Sequence, residues 1–409
     1  MRRLLMIFQF DELKLLGLKP YWGFLRFFWR RCNEIRVWQV AGSLTFTTLL
    51  ALVPVLTIVL VLVSAFPIFG DVTLEFMQFV NTIIVPSGAV AVWDYLNEFN
   101  KQASKLTTVG VVMMLLTSLL LIKTIDQTFN RIWRVRRPRS PWLQFPVYWA
   151  LLTFMPVLLA LGVSLISQTA EFSGSLKMMA WFIFDVLVLY ILYRVVPNRF
   201  VPAKHALCGA LLTTVLLKFA KLGFDGYIQN FNSYQIIYGA FSAIPVFLVW
   251  LHLLWAIILL GAVLTASLSY WQGAVYLRPR GKHALFNDIV QILLMLSRAQ
   301  ADGRSLRVQH FRQHVNMGYD ELGDLLEQLE DMGYVGSHKN GWLLKKSLEH
   351  ITLRELVGHF VYMPSTIDSP IKFALAALMQ SGFEMLDITL AEFERRFLSE
   401  QIVDKKSGA

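Results

Sequence analysis

Apolar residues in this chain do not alternate with polar ones; they come in blocks. Ser43–Phe66 runs 24 residues without a charge, Ser140–Ala170 runs 31, and Gly226–Leu277 runs 52, interrupted only by His252. A hydrocarbon core about 30 Å thick needs roughly 20 apolar residues as a helix. A water-soluble core helix would show charge on its outer face within that length. The blocks therefore predict membrane spans, six in all: Ser43–Phe66, Lys105–Ile125, Pro141–Ser167, Met178–Val196, His205–Ile228 and Ala240–Tyr270.

Orientation follows from where Lys and Arg fall between the spans, because cytoplasmic loops carry the excess. Met1–Gly42, Asp126–Pro141, Arg194–Lys204 and Trp271–Lys282 together hold 19 of them, whereas Pro67–Lys105, Gln168–Lys177 and Gly226–Gly239 hold 3. The first set is assigned to the cytoplasm, and both termini with it. Trp38, Trp133, Trp142 and Trp271 then sit near the inner edges, with Trp93 and Trp181 near the outer ones, as an aromatic belt requires. A seventh span within Gly226–Leu277 is rejected. GYIQNFNSYQIIYG is too polar for lipid, and Arg278 and Arg280 would be carried outside.

The flanking segments have their own patterns. In Met1–Gly42, Tyr21, Trp22, Phe24, Phe27, Phe28 and Trp29 alternate with Arg26, Arg30, Arg31 and Arg36. Such a helix suits a headgroup interface, with rings in the acyl boundary and cations on anionic phosphates; the other reading is a cytoplasmic helix packed on the bundle. No separate signal peptide is read here, since Leu4–Phe10 is short and Asp11 and Glu12 follow it. The first span is expected to serve as the targeting signal. In the first outer loop, Phe76, Met77, Phe79, Val80, Ile83 and Ile84 share one helical face ahead of Pro86, which predicts an amphipathic helix on the outer leaflet.

After Arg278-Pro279-Arg280-Gly281 the pattern turns soluble. Phe286–Ala301, Leu306–His314 and Tyr319–Met332 read as helices, and Gly333–Lys346 as a hairpin turning at Lys339-Asn340-Gly341. Two more helices are expected near Ile371–Met379 and Ala391–Ile402. Three helices and a hairpin outline a winged helix, reaching to about residue 360. The expected domains are thus 1–42, basic and interfacial; 43–275, the membrane bundle; and 282–409, a cytoplasmic domain. The fold class is all-α polytopic membrane protein with six transmembrane helices and a C-terminal winged-helix-like domain.

Composition agrees and adds one asymmetry. The chain is 56% hydrophobic and 16% charged, against roughly 45–50% and 25% for soluble proteins. Its net charge is +10. Residues up to Gly281 carry 24 Lys+Arg against 11 Asp+Glu, and the remainder 14 against 17. The basicity belongs to the membrane half. The two cysteines, Cys32 and Cys208, suggest neither a disulfide framework nor a metal knuckle.

Four stretches also resemble a known family: AGSLTFTTLLALVPVL in span one, LLLIKTIDQTFNRIWRVRR closing span two, LYRVVPNRFVPAKHALCGALLTTVLLKFAKLGFDGYI across spans four and five, and YQIIYGAFSAIPVFLVWLHLLWAIILLGA into span six. In these the sequence is similar to the YihY/virulence-factor BrkB family of bacterial inner-membrane proteins, over about Arg36–Ser269. The resemblance implies six membrane helices and a bacterial inner-membrane location. It brings no catalytic signature. Members once carried the label of a tRNA-processing ribonuclease, which the residues must support or not.

They give it no support. A metal-dependent nuclease needs clustered His, Asp or Glu. His310 and His314 are four apart without a neighbouring Glu, and no H-x-H-x-D or H-E-x-x-H pattern occurs. No Walker, dinucleotide or nucleophile-elbow motif is present either. No enzyme, metal or cofactor is implied. Nucleic acid is also a poor partner. The helix a winged helix would offer to DNA, Tyr319–Met332, carries Asp320, Glu321, Asp324, Glu327, Glu330 and Asp331 and no Lys or Arg, so phosphates would be repelled. A protein partner suits this domain better.

The informative residues are charges inside the spans, since a charge at mid-bilayer costs about 2.5–3.5 kcal/mol. Asp185 lies in span four. Lys218, Lys221 and Asp225 share one face of span five, at i, i+3 and i+7. Counting about 1.5 Å per residue puts Asp185 and Lys218 at similar depth on neighbouring antiparallel helices. An Asp185–Lys218 pair is expected, or Asp185–Lys221 after a one-turn slip. Such a pair either locks two helices or lines a polar path. His252 in span six either joins a proton path or packs. Lys123 and Asp126 lie at the inner end of span two, where snorkelling to the interface is cheap, and are assigned no function. Pro54, Pro156 and Pro245 interrupt spans one, three and six, as in transporters with broken helices, or as kinks that only pack. The sequence thus reads as a transport or lipid-handling membrane protein, or as a membrane scaffold whose charges are structural.

Overall fold

The computed structural model describes residues 19–64, 108–136, 142, 146, 148–149, 174–230, 243–271, 282–315, 317–338, 341–362 and 370–398. The chain divides into two compact units, Met1–Ser269 and Tyr270–Ala409. The expected span Pro141–Ser167 with its Pro156, and the outer-loop helix near residues 76–84, lie outside the described residues.

The first unit is helical. α1 (Lys19–Ile35) and α2 (Val37–Ser64) meet at Arg36, whose φ of 59° turns the chain through a left-handed residue. The segments Tyr21–Ile35 and Val37–Leu52 are bent by 49° at this point. α3 (Thr108–Ile132) ends the same way. Arg134 has φ 53°, Val135 N–H reaches back to Asn130 O at 2.9 Å, and Arg134 N–H to Arg131 O at 3.2 Å. This is the Schellman closure, with an arginine where glycine is usual. α4 (Gly174–Val195) and α5 (Ala203–Asn230) are joined by a short turn that Arg194 ties down by donating to Val201 O at 2.9 Å. α6 (Ala243–Ser267) closes the unit and runs into a 3₁₀ turn, Leu268–Tyr270.

The surface of this unit is inverted relative to a soluble protein. Ile183, Leu187, Phe219, Leu222 and Val249 are exposed, whereas Thr213, Thr214, Thr265 and Ser118 are buried. Apolar side chains gain nothing by pointing into water, so these outer faces are built for hydrocarbon. The buried threonines are satisfied within their helices: Thr213 donates to Gly209 O, Thr214 to Ala210 O and Thr265 to Gly261 O. Among the described residues, Met178–Val195, Ala203–Ile228 and Ile244–Tyr270 are long and apolar enough to cross a membrane, and the bent α1–α2 pair could make a fourth.

α5 and α6 are interlocked. A Cβ added to Gly209 would collide with Thr265, and one added to Gly261 would collide with Thr213 and the Tyr193 hydroxyl. Each glycine therefore makes room for the threonine of the opposite helix, and each threonine bonds back to the glycine four residues before it. Advancing four residues on α5 steps back four on α6. The same register holds farther along, where Phe224 packs on Trp250 with ring centroids 5.1 Å apart. The helices are antiparallel and in step over about 22 Å. Tyr193 from α4 seals the crossing, bonding to Thr213 Oγ1 at 3.0 Å and donating to Ile258 O at 2.8 Å.

The second unit opens with α7 (Lys282–Ala301), α8 (Val308–His314) and α9 (Tyr319–Asp331). An antiparallel hairpin follows, β1 (Val335–His338) on β2 (Gly341–Leu344), in register Val335↔Leu344. Leu306 adds a bridge to Trp342 on the free side of the hairpin. A 3₁₀ turn (Leu348–His350) leads to α10 (Leu353–Phe360), then α11 (Pro370–Met385) and α12 (Leu390–Phe393), which passes into a π-turn, Glu394–Leu398. The core gathers Ile289, Ile292, Leu293, Phe311, Leu326 and Leu356. α10 was not expected from the sequence. Its signal was the capping box Thr352-Leu353-Arg354-Glu355, where Thr352 Oγ1 accepts Glu355 N–H at 3.2 Å. Thr389-Leu390-Ala391-Glu392 repeats the device for α12, and the two caps lie side by side through a Thr352–Thr389 bridge.

Candidate functional site

Asp185 falls near the middle of α4 and Lys218 near the middle of α5. Because the helices are consecutive and antiparallel, the two side chains meet, with Lys218 Nζ 2.5 Å from Asp185 Oδ2. The partners are unequally sheltered: the Asp185 side chain is 17% exposed and that of Lys218 is 49%. The contact removes the net charge each helix would otherwise carry into the apolar layer. It also leaves an ammonium group half open on a surface flanked by exposed Leu222 and Phe219. Lys221 and Asp225 continue along α5 at half-buried positions.

His252 stands apart from this cluster. Trp250, two residues earlier, faces α5 through Phe224. Two residues turn about 200° around a helix, and His252 accordingly packs on Trp38 at a centroid distance of 6.4 Å and lies against Gly42. It belongs to the contact between α6 and α2, where Trp255 Nε1 also donates to Thr48 Oγ1 at 2.9 Å. Pro54 lies inside α2, as expected. Pro245 is the third described residue of α6, Ala243–Ser267.

A second polar cluster corrects one expectation. Lys123 is exposed, but Asp126 does not snorkel; it is buried. Its Oδ2 accepts from Asn130 Nδ2 at 3.0 Å and from the Tyr148 hydroxyl at 2.9 Å, so donors inside the protein replace those of water. Asn130 Oδ1 in turn accepts the backbone N–H of Asn198 at 2.9 Å, joining α3 to the α4–α5 turn. Buried Arg31 donates to Ile132 O at 3.1 Å and joins α1 to the end of α3. The signal in the sequence was the i, i+4 pair Asp126 and Asn130 in TIDQTFNRIW.

In the second unit, His314 Nδ1 lies 3.2 Å from the backbone oxygen of His310, a local contact within α8. α9 buries Leu322, Leu325, Leu326 and Leu329. Its Glu330 accepts the backbone N–H and hydroxyl of Ser337, tying the helix to the hairpin. Lys346 Nζ holds both carboxylate oxygens of Glu355, at 3.1 and 3.0 Å. Burial pushes the Glu355 carboxyl up, but the bonds and charge from Lys346, with Tyr334 beside it, outweigh this and hold it below the ordinary value of 4.5. A cleft of about 600 Å³ opens between α7, the end of β2 and the π-turn, with Ser297, Lys345, Glu349 and Arg395 on its walls.

Long apolar helices with lipid-suited outer faces and a neutralised charge pair between them define a helical membrane protein. The chain belongs to the family described as Virulence factor BrkB, whose model matches residues 28–283. Relatives extend over nearly the whole chain. A UPF0761 membrane protein of Neisseria meningitidis serogroup C is 50% identical over 390 residues, covering 93% of this chain and 96% of the relative. One from Chromobacterium violaceum is 43% identical over 404 residues, covering 95% and 96%. Another from Alcanivorax borkumensis is 34% identical over 347 residues, covering 80% and 79%. No solved structure matches the chain.

Proposed function

We propose that this is a six-span protein of the bacterial inner membrane, with both termini in the cytoplasm, that moves a polar solute or a lipid headgroup along the face formed by α4 and α5. The Asp185–Lys218 pair carries this reading. A lysine half open at the middle of a membrane helix is expensive, and a route for a polar group gives it a use. The 19-to-3 bias of Lys and Arg between the two sets of loops supports the orientation. Neither an enzymatic step nor a driving nucleotide is proposed.

The second unit is read as a winged-helix-like regulatory domain. Three helices, a hairpin and the Leu306–Trp342 bridge support that outline. The acidic face of α9 supports a protein partner over a nucleic acid.

A second reading, a membrane scaffold, draws on the closure of the pair itself: Asp185 is well sheltered and already satisfied by Lys218. Flux in proteoliposomes separates the two, with a pH dye and a fluorescent-lipid scrambling readout on wild type and Asp185→Asn. Transport by wild type that a folded Asp185→Asn protein loses supports the path. Transport that survives the substitution removes the pair from the path. A wild type silent in both readouts, with Asp185→Asn failing to accumulate, favours the scaffold.

A further inference from the structure

α1 shows two different faces. Phe27, Cys32 and Ile35 are buried against the bundle. The flank next to this buried face carries Tyr21, Leu25 and Trp29 at i, i+4 and i+8, which are 61%, 51% and 45% exposed. Beside this stripe run Trp22, Arg26 and Arg30 at the same spacing, also exposed. The apolar surface thus continues from the buried face round one exposed flank and ends at the arginines. A face of this kind suits neither water nor the spanning layer, because the rings favour hydrocarbon and the guanidinium groups favour phosphate. Arg30 lies over the Phe27 ring at 5.7 Å and meets exposed Glu34 at 3.6 Å, a contact of little strength in solvent.

Position narrows the occupant. A single left-handed residue, Arg36, joins α1 to α2, and the 49° bend at that point carries α1 off the axis of α2. α1 is about 25 Å long, so its outer face slopes along the edge of the bundle at the depth where α2 begins. Exposed Trp38 continues the aromatic surface across the bend.

We propose that the outer face of α1 is a docking surface for anionic phospholipid of the inner leaflet, with Tyr21, Leu25 and Trp29 in the acyl boundary and Arg26 and Arg30 on headgroup phosphates. The chemistry recognised is a phosphodiester next to hydrocarbon. A soluble phosphate offers only half of that, and a protein helix covering the same stripe would have to supply carboxylates facing both arginines.

The test uses the full chain in nanodiscs of phosphatidylcholine and phosphatidylglycerol. A nitroxide is placed at Leu25→Cys in a Cys32→Ala, Cys208→Ala background. Greater relaxation of the label by oxygen than by a water-soluble nickel chelate is expected. Spin-labelled phosphatidylglycerol is expected to associate with the protein in preference to phosphatidylcholine. Arg26→Gln with Arg30→Gln should lower that preference by roughly twofold or more. Because both arginines are exposed, their loss leaves the fold intact, which circular dichroism checks. A label relaxed mainly by nickel would place the face in water and overturn the proposal. A label shielded from both reagents would mean a protein cover, such as a second copy, and would overturn it too. An unchanged lipid preference in the double variant would remove the arginines from lipid recognition.

Discussion

Thr213 of α5 sits in the space left by the missing side chain of Gly261 on α6, and Thr265 repeats the arrangement over Gly209. Close approach of this kind is how helices gain packing energy in a medium as apolar as they are. Gly261→Ala is therefore expected to lower the thermal unfolding midpoint in detergent by an overpacking cost of about 1–3 kcal/mol. Gly209→Ala should act alike. Adding Thr213→Ala to Gly261→Ala should recover only part of the loss, because the Tyr193 hydroxyl still occupies the spot. Undiminished stability of Gly261→Ala would show that the helices do not meet this closely.

The ion pair makes a prediction about doubles against singles. Asp185→Leu alone strands Lys218 in the apolar layer and should reduce folded protein. With Lys218 half exposed, the loss should fall below the ~3–5 kcal/mol of a fully buried pair. Asp185→Leu with Lys218→Leu should restore accumulation to near wild type, since an apolar replacement escapes the desolvation cost. Size-exclusion profiles of the three variants decide this. A double variant worse than both singles would contradict it.

Arg134 closes α3 in a conformation that costs a residue with a side chain about 1 kcal/mol. Its contact with Glu34, at 3.8 Å between partly exposed groups, offsets little. Arg134→Gly is expected to hold or raise the unfolding midpoint. A clear fall would mean that the guanidinium group, and not the backbone, secures the C-terminal end of α3.

The Lys346–Glu355 pair sets a pH dependence for the second unit. The folded carboxyl titrates below its ordinary value of 4.5. Its contribution is therefore complete above about pH 4.5 and is lost as pH falls through the folded value. As pH is lowered from about 4.5 through the folded value, hydrogen exchange of α10 amides in the full chain should slow less than intrinsic exchange chemistry predicts, the excess reporting the lost contribution. Glu355→Gln should remove this excess while lowering protection at pH 7.

The three apolar helices α4, α5 and α6 were legible because lipid admits little charge over some 20 residues: α6 carries none, and in α4 and α5 the apolar residues far outnumber the few charges. The meeting of Asp185 with Lys218 was legible for the same reason: two helices joined by a short turn must run antiparallel, and depth then fixes which charges can touch. The threonine–glycine interlock was not. Gly209 and Thr213 look like filler in an apolar run until the matching Gly261 and Thr265 are set against them, and nothing in one helix names its partner. Asp126 was misjudged because its donor Tyr148 lies 22 residues away. α10 was missed at eight residues, too short for periodicity to show, although its capping box was in view.

The register between α5 and α6 has a mechanical consequence. Threonines seated in glycine notches permit no gradual sliding; the next matching position is a full turn away, about 5.4 Å. α5 and α6 therefore move as a single lever. Among the described residues, α4 meets this lever on one side, and α2 bears on it elsewhere through His252 and Trp255. Distances between spin labels on α5 and α6 should stay fixed under every condition that changes those from α4.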